Sequence, residues 1–231
     1  MSKIKKIVNY FTITEKLLWL VSCSMLLISF LMSDRTGVFN LIASLIGATS
    51  IIFNAKGNPF GQVLMIVFSI TYGITSYHYA YYGEMITYLG MSMPMAILAL
   101  GSWLKNPYKG NHAEVTVNRL KKGEPLFLAL LSIFVTVIFY FILKHFNTAN
   151  LIPSTFSVLT SFLAVYLTYR RSPWFAFAYA LNDIVLILLW ILASMDDPSY
   201  ISMVVCFAAF LFNDLYCFIR WNKMKERQAL Q

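Results

Sequence analysis

The sequence predicts an all-α integral membrane protein of eight transmembrane helices: one extra N-terminal helix, then a bundle in a 3+1+3 arrangement of parallel repeats. Three observations predict it. Of 231 residues, 59% are hydrophobic and only 12% charged, with a mean hydropathy of +0.67, which leaves too few charges to cover a water-soluble domain of this size. The apolar residues come in blocks of roughly 20, the length that crosses a bilayer, and not in amphipathic stripes. The basic residues, finally, collect in alternate short loops between those blocks.

Taken in order, the spans are expected at Lys16–Ser33, Thr36–Asn54, Pro59–Tyr82, Glu84–Leu104, Leu126–Phe146, Ile152–Tyr169, Pro173–Ser194 and Tyr200–Arg220. The divisions that follow are residues 1–35 (N-terminus and extra helix), 36–104 (first three-helix repeat), 105–146 (basic connector and linker helix), 147–221 (second repeat) and 222–231 (basic tail). The segment KNPYKGNHAEVTVNRLKKGEP between the fourth and fifth spans is too short and polar for a domain. No cleavage site follows the first apolar run, and neither end carries a lipidation motif.

Charge sorting sets the orientation. With both termini in the cytoplasm of a cell-membrane protein, 16 of the 18 Lys and Arg fall inside, and only Arg35 and Lys144 fall outside, together with Asp34, Glu84, Asp196 and Asp197. One helix more or fewer would invert every later loop. The same sorting argues against nucleic-acid binding despite a net charge of +8, because the charges punctuate spans and form no phosphate-tracking stripe.

A weak internal repeat supports the grouping. Pro59 follows Lys56, and Pro173 follows Arg170-Arg171; Trp103 closes the fourth span and Trp221 the eighth, 44 and 48 residues after the respective prolines. A single linker helix between two three-helix units restores their orientation, so the repeats are parallel, a plan that places a ligand near mid-membrane between them.

Candidate site residues gather where polarity is costly. Asn182-Asp183 and Asn213-Asp214 sit within the seventh and eighth apolar blocks, and an ionised carboxylate at the bilayer centre costs about 2.5–3.5 kcal/mol on insertion scales. Such groups face a protein interior or a wet cavity, and two on neighbouring spans suggest one polar site; the alternative is that Asp183 and Asp214 bridge helices structurally. In the seventh span Phe175, Tyr179, Asn182, Leu186 and Trp190 share a helical face, and rings beside an amide suit a flat ligand. The third span contributes a stripe of Gln62, Ser69, Tyr72, Ser76 and Tyr79, and the sixth a serine face of Ser154, Ser157 and Ser161, suited to close helix packing. Trp174 and Trp221, near span ends, read as interface anchors. His78 reads as a hydrogen-bonded core residue, and Gly90 with Pro94 as a kink or hinge. Cys23, Cys206 and Cys217 lie inside spans as small apolar residues, with no disulfide, metal or cofactor expected. Among rival classes, an intramembrane aspartyl protease lacks its motif context, a retinal photoreceptor lacks a lysine in a late span, and an ATP-driven pump lacks a phosphate loop.

YGEMITYLGMSMP followed by SWLKNP, then STFSVLTSF, YLTYRRSP, AYALNDIVLILLW and FLFNDLYCFIRW together resemble the PnuC family of nicotinamide riboside transporters, over nearly all of the chain from about residue 36. The resemblance implies a SWEET-like fold, a homotrimer, and facilitated diffusion in which a cytosolic ribosylnicotinamide kinase traps the substrate. It implies a transporter and not an enzyme, with a small-molecule, nucleoside-like partner. Many family members carry Trp-x-x-Trp-x-x-x-Asn in the helix equivalent to the seventh span; Asn182 matches, whereas Phe175 and Ala178 stand at the two tryptophan positions. Thiamine, riboflavin and deoxynucleosides, cargoes of related transporters, therefore stay open as alternatives. Asn182 would bond the ligand, Tyr179 and Trp190 would stack on it, and Gln62 would read it from the opposite repeat. Asp183 could instead carry a coupling proton.

Overall fold

The computed structural model describes residues 10–32, 37–78 and 81–230. Ser33, Asp34, Arg35, Thr36 and Tyr79, named above, and Lys3, Lys5 and Lys6, counted there among the inside charges, lie outside the described residues. Within them, eight helical segments are long and apolar enough to cross a membrane: α1 (Ile13–Met32), α2 (Val38–Ala55), α3 (Phe60–His78), α4 (Tyr82–Leu104), α5 (Glu124–His145), α6 (Leu151–Tyr169), α7 (Trp174–Asp196) and α8 (Ile201–Leu230, entered through a 3-10 turn at Pro198–Tyr200). The protein is a multi-pass membrane protein. Boundaries match the expected ones within a few residues except at the C-terminus. There α8 continues to Leu230, because NKMKERQAL contains no breaker and is rich in helix formers. The expected basic tail is thus helix.

Helix ends follow local chemistry. At the end of α2, Gly57 takes a φ of 65° while the Asn58 N–H reaches back to the Phe53 carbonyl, closing the helix as a left-handed C-terminal turn. Arg171 (φ 56°) closes α6 the same way, with the Ser172 N–H on the Leu167 carbonyl. A proline follows each turn within two residues and starts the next helix. Gly61 serves packing instead: a Cβ there would collide with the Asn54 side chain, and its carbonyl accepts from Ser50 at 2.8 Å, so α2 and α3 approach closely.

The core is a closed ring. α2 packs on α3, α3 on α4, α4 on α6, α6 on α7, α7 on α8, and α8 back on α2. α1 lies outside the ring against α2 and α8, and α5 outside it against α6. α4 is interrupted by a π-helical stretch at Tyr88–Ser92, at the Gly90–Pro94 segment read as a kink; π segments are frequent at functional sites.

The ends of the bundle differ. One, the basic end, gathers Lys56, Lys105, Arg170 and Arg220, and the connector is fastened across it. A two-stranded antiparallel hairpin, β1 (Pro107–Tyr108) and β2 (Asn111–Val115), forms where the sequence suggested only a polar link. Its turn, Lys109-Gly110, has positive φ at both positions, as two-residue hairpin turns demand. The Val115 N–H bonds the Gly57 carbonyl, the Asn118 N–H bonds that of Arg171, and Gln228 of α8 accepts from the Val117 N–H at 2.8 Å. Three further residues sit differently from expectation. His78 is exposed, with its ring beside that of Tyr77. Trp221 is 0% exposed, so it is no interface anchor, whereas Trp174 is exposed as anchors are. Glu84 is buried in the first turn of α4, where it accepts from Ser157 Oγ at 2.8 Å.

Candidate functional site

Between the ring helices, towards the basic end, lies a narrow cavity with about 30 Å³ of space open to a water-sized sphere. It is lined by Asn54 of α2, Phe68 of α3, Tyr88 of α4, Tyr179, Asn182 and Asp183 of α7, and Phe207, Phe210 and Asp214 of α8, with Gly47, Ile51 and Met65. That space holds a water or two, not a nucleoside, so the described conformation is closed around the site.

Two aromatic plugs close it. Away from the basic end, the Trp190 indole N–H donates to the Tyr72 hydroxyl at 3.1 Å, joining α7 to α3. Tyr81 and Tyr200 pack on Trp190 at 4.8 and 5.6 Å between ring centres, and Tyr88 and Phe207 pack on Tyr72 at 4.4 and 5.6 Å. At the basic end, Trp103 and Trp221 lie 5.3 Å apart, with Phe175 against Trp221 at 4.8 Å. Each indole N–H is held by a backbone carbonyl at a helix end: Trp103 on Thr168 of α6 at 2.9 Å, and Trp221 on Asn54 of α2 at 2.7 Å.

Between the plugs the walls are polar. Asn182 Oδ1 accepts from Thr160 Oγ1 at 2.7 Å and Ser161 Oγ at 2.9 Å, so α6 fixes the amide's rotation. Its Nδ2 has no acceptor among the described residues and is the half available to a ligand. Asp183 and Asp214 line the same cavity, and Asp183 Oδ2 is buried with no hydrogen-bond partner among the described residues. No Lys, Arg or His is among the lining residues. A buried pair of acids with no Lys, Arg or His among the lining residues makes this cavity hospitable to a cation and hostile to an anion.

The structure thus brings Tyr179, Asn182, Asp183 and Asp214 to one cavity. Gln62 lies one shell back, its amide donating to Asn54 Oδ1 at 2.9 Å. Phe175, Tyr72 and Trp190 are in the plugs. Asn213 points away from the cavity and donates to Ser22 of α1 at 3.0 Å. Not anticipated were Asn54, an amide inside a predicted span and so detectable by the argument used for Gln62, and Thr160, which no sequence signal separates from other threonines. Phe68, Phe207 and Phe210 look like any membrane phenylalanine in the sequence.

The family model described as nicotinamide mononucleotide transporter matches residues 37–223. The chain belongs to that transporter family. It is 24% identical over 194 residues to the nicotinamide riboside transporter PnuC of Neisseria mucosa, spanning 82% of this chain and 74% of that protein. Its fold matches the crystal structure of the vitamin B3 transporter PnuC with a TM-score of 0.83 at 22% identity, covering 94% of each chain. The matched family region begins at residue 37, so α1 lies outside it. The family's description names a cargo with a phosphate, and the relative's name a cargo without one.

Proposed function

We propose that the protein carries nicotinamide riboside across the cell membrane and does not carry the mononucleotide. The observation that supports this choice is the Asp183–Asp214 pair, facing a cavity lined by no cation. The riboside bears one positive charge on its pyridinium ring; the mononucleotide adds a phosphate, which would be desolvated against two acidic groups with nothing to compensate it. Asn182 Nδ2 then bonds the carboxamide or ribose, Tyr179 packs on the ring, and the carboxyl pair answers its charge. Gln62 acts through Asn54, as a positioning residue.

In this reading, the ring comprises two parallel three-helix repeats, α2–α4 and α6–α8, in a SWEET-like homotrimer with both termini cytoplasmic. The plugs alternate: Tyr72–Trp190 parts to admit the ligand from outside, and the Trp103 and Trp221 bonds part to release it inside. Transport is facilitated diffusion, pulled inward by a kinase that phosphorylates the ligand, since a uniporter shifts no equilibrium alone. Thiamine is the second reading, because it is also a cation.

The test is binding of nicotinamide riboside, nicotinamide mononucleotide, thiamine and a deoxynucleoside to purified protein, with Asn182→Ala beside the wild type. The riboside is expected to bind tightest, and Asn182→Ala to weaken it about tenfold, the weight of one or two hydrogen bonds. Preferential binding of the mononucleotide would overturn the assignment, and preference for thiamine would move it to the second reading. Uptake into vesicles should run at the same rate with and without a pH gradient; a gradient-dependent rate would favour proton coupling through Asp183.

A further inference from the structure

A second hollow lies at the basic end, outside the ring, with about 290 Å³ of space open to a water-sized sphere. Four separate stretches of chain build it. Tyr10 comes from ahead of α1, Lys56 from the end of α2, Glu114 from β2, and Arg220, Lys223 and Arg227 from the extended part of α8. Its charges do not balance. Glu15 of α1 faces Lys56 at 3.3 Å and Arg220 at 3.7 Å, and Glu114 pairs with Arg227. Lys223 has no carboxylate partner among the described residues, so four cations meet two carboxylates and two positive charges remain. Arg220 Nε is buried without a hydrogen-bond acceptor, the Glu15 oxygen being too distant to serve. Tyr10 is a fixed wall: its hydroxyl accepts from Asn58 at 3.0 Å and donates to the Ala113 carbonyl at 3.3 Å. Burial pushes its pKa up, so it stays neutral and adds no negative charge.

We propose that this hollow binds a phosphate monoester dianion. Two uncompensated positive charges match its charge, and two guanidinium groups with two ammonium groups supply the forked and point-like donors that phosphate oxygens accept. The space exceeds what one phosphate fills, leaving room for the rest of the ester. The walls also adjoin the basic-end plug. Lys56 lies two residues past Asn54, whose carbonyl holds Trp221, and Arg220 immediately precedes Trp221. A dianion drawing Lys56 and Arg220 together keeps α2 and α8 at the spacing of that bond, so the bound anion favours a closed basic end. None of this depends on which cargo the inner cavity takes.

The phosphate can belong to a soluble ester or to a lipid headgroup, and the experiment separates them. The full chain is placed in nanodiscs of neutral phosphatidylcholine and titrated with adenosine monophosphate, with adenosine as the control, for the wild type, Lys223→Gln and Lys225→Gln. The same three proteins are melted in nanodiscs with and without phosphatidylglycerol, a phosphate diester lipid, and with and without phosphatidic acid, a monoester lipid. Binding of the monophosphate but not adenosine, weakened at least about tenfold by Lys223→Gln and unchanged by Lys225→Gln, supports a soluble ester. A stabilisation by phosphatidic acid that exceeds that by phosphatidylglycerol and is lost only in Lys223→Gln supports a headgroup. If neither the monophosphate nor phosphatidic acid distinguishes Lys223→Gln from the wild type, the proposal is overturned.

Discussion

Two buried acidic sites stand at different depths in this protein and are resolved in opposite ways. At the basic end, Glu15 is 0% exposed yet fully answered: Lys56 and Arg220 face it, and the Thr12 backbone N–H donates to its Oε2 at 2.8 Å. Thr12 Oγ1 in return accepts from the Glu15 N–H at 3.3 Å, a capping box at the start of α1. Deeper in the ring, Asp183 and Asp214 line a cavity with no Lys, Arg or His among its lining residues. The first arrangement is what stability asks of a buried carboxylate. The second is what a stable fold avoids, and its survival inside a bundle of spanning helices is the reason for proposing function there. The contrast separates an acid that holds helices together from the acids proposed to meet the ligand.

Exchanging carboxyl for amide at both places tests the contrast. The largest effect is expected in the cavity: Asp183→Asn and Asp214→Asn should each weaken nicotinamide riboside binding by up to about a hundredfold, close to 3 kcal/mol for a bond to a charged group, with no loss of melting temperature. Wild-type affinity in both variants would break the comparison. Glu15→Gln should do the reverse, costing about 1–3 kcal/mol of stability, read as a lower melting temperature in detergent, with ligand affinity within about twofold of wild type. A weakened affinity there would mean that α1 shapes the cavity. The smallest effect is expected from Trp221→Phe, which keeps the ring and removes the N–H donated to Asn54. It should cost about 1 kcal/mol of stability and leave affinity unchanged, while raising the water accessibility of the basic end in hydrogen exchange. Unchanged exchange at α2 and α8 would remove the Trp221–Asn54 bond from the gating scheme.

Much of the scaffold was legible because membrane helices are written in runs of composition. Eight apolar blocks appear as eight helices, and Pro59 and Pro173 marked where α3 and α7 begin. Asn182, Asp183 and Asp214 stood out since a polar group in an apolar run needs a partner. The same reasoning misplaced Asn213, because a helical segment shows that a side chain is polar but not which way it faces: one residue apart on α8, Asn213 turns to Ser22 of α1 and Asp214 to the cavity. Trp221 was misread since a tryptophan at a span end is identical in sequence whether it meets headgroups or a neighbouring helix end. The connector's hairpin was missed because its second strand is held at Val115 by Gly57 and Gln228, partners distant in the chain.

By itself, then, the sequence determined the membrane class, the number of spans, the helix ends written in glycine and proline, and the two acid-bearing helices. These follow from local hydrophobicity and backbone preference, which each segment carries alone. Only the tertiary structure decided that Asp183 meets Asp214 while Glu15 meets Lys56 and Arg220, that Thr160 and Ser161 orient Asn182, and that Trp103 and Trp221 close one end. Those contacts join residues up to 205 positions apart, and no local preference specifies them. They arise where packing sets each helix's rotation about its axis, which decides which buried polar groups meet a partner on a neighbouring helix and which, like Asp183 Oδ2, are left without one.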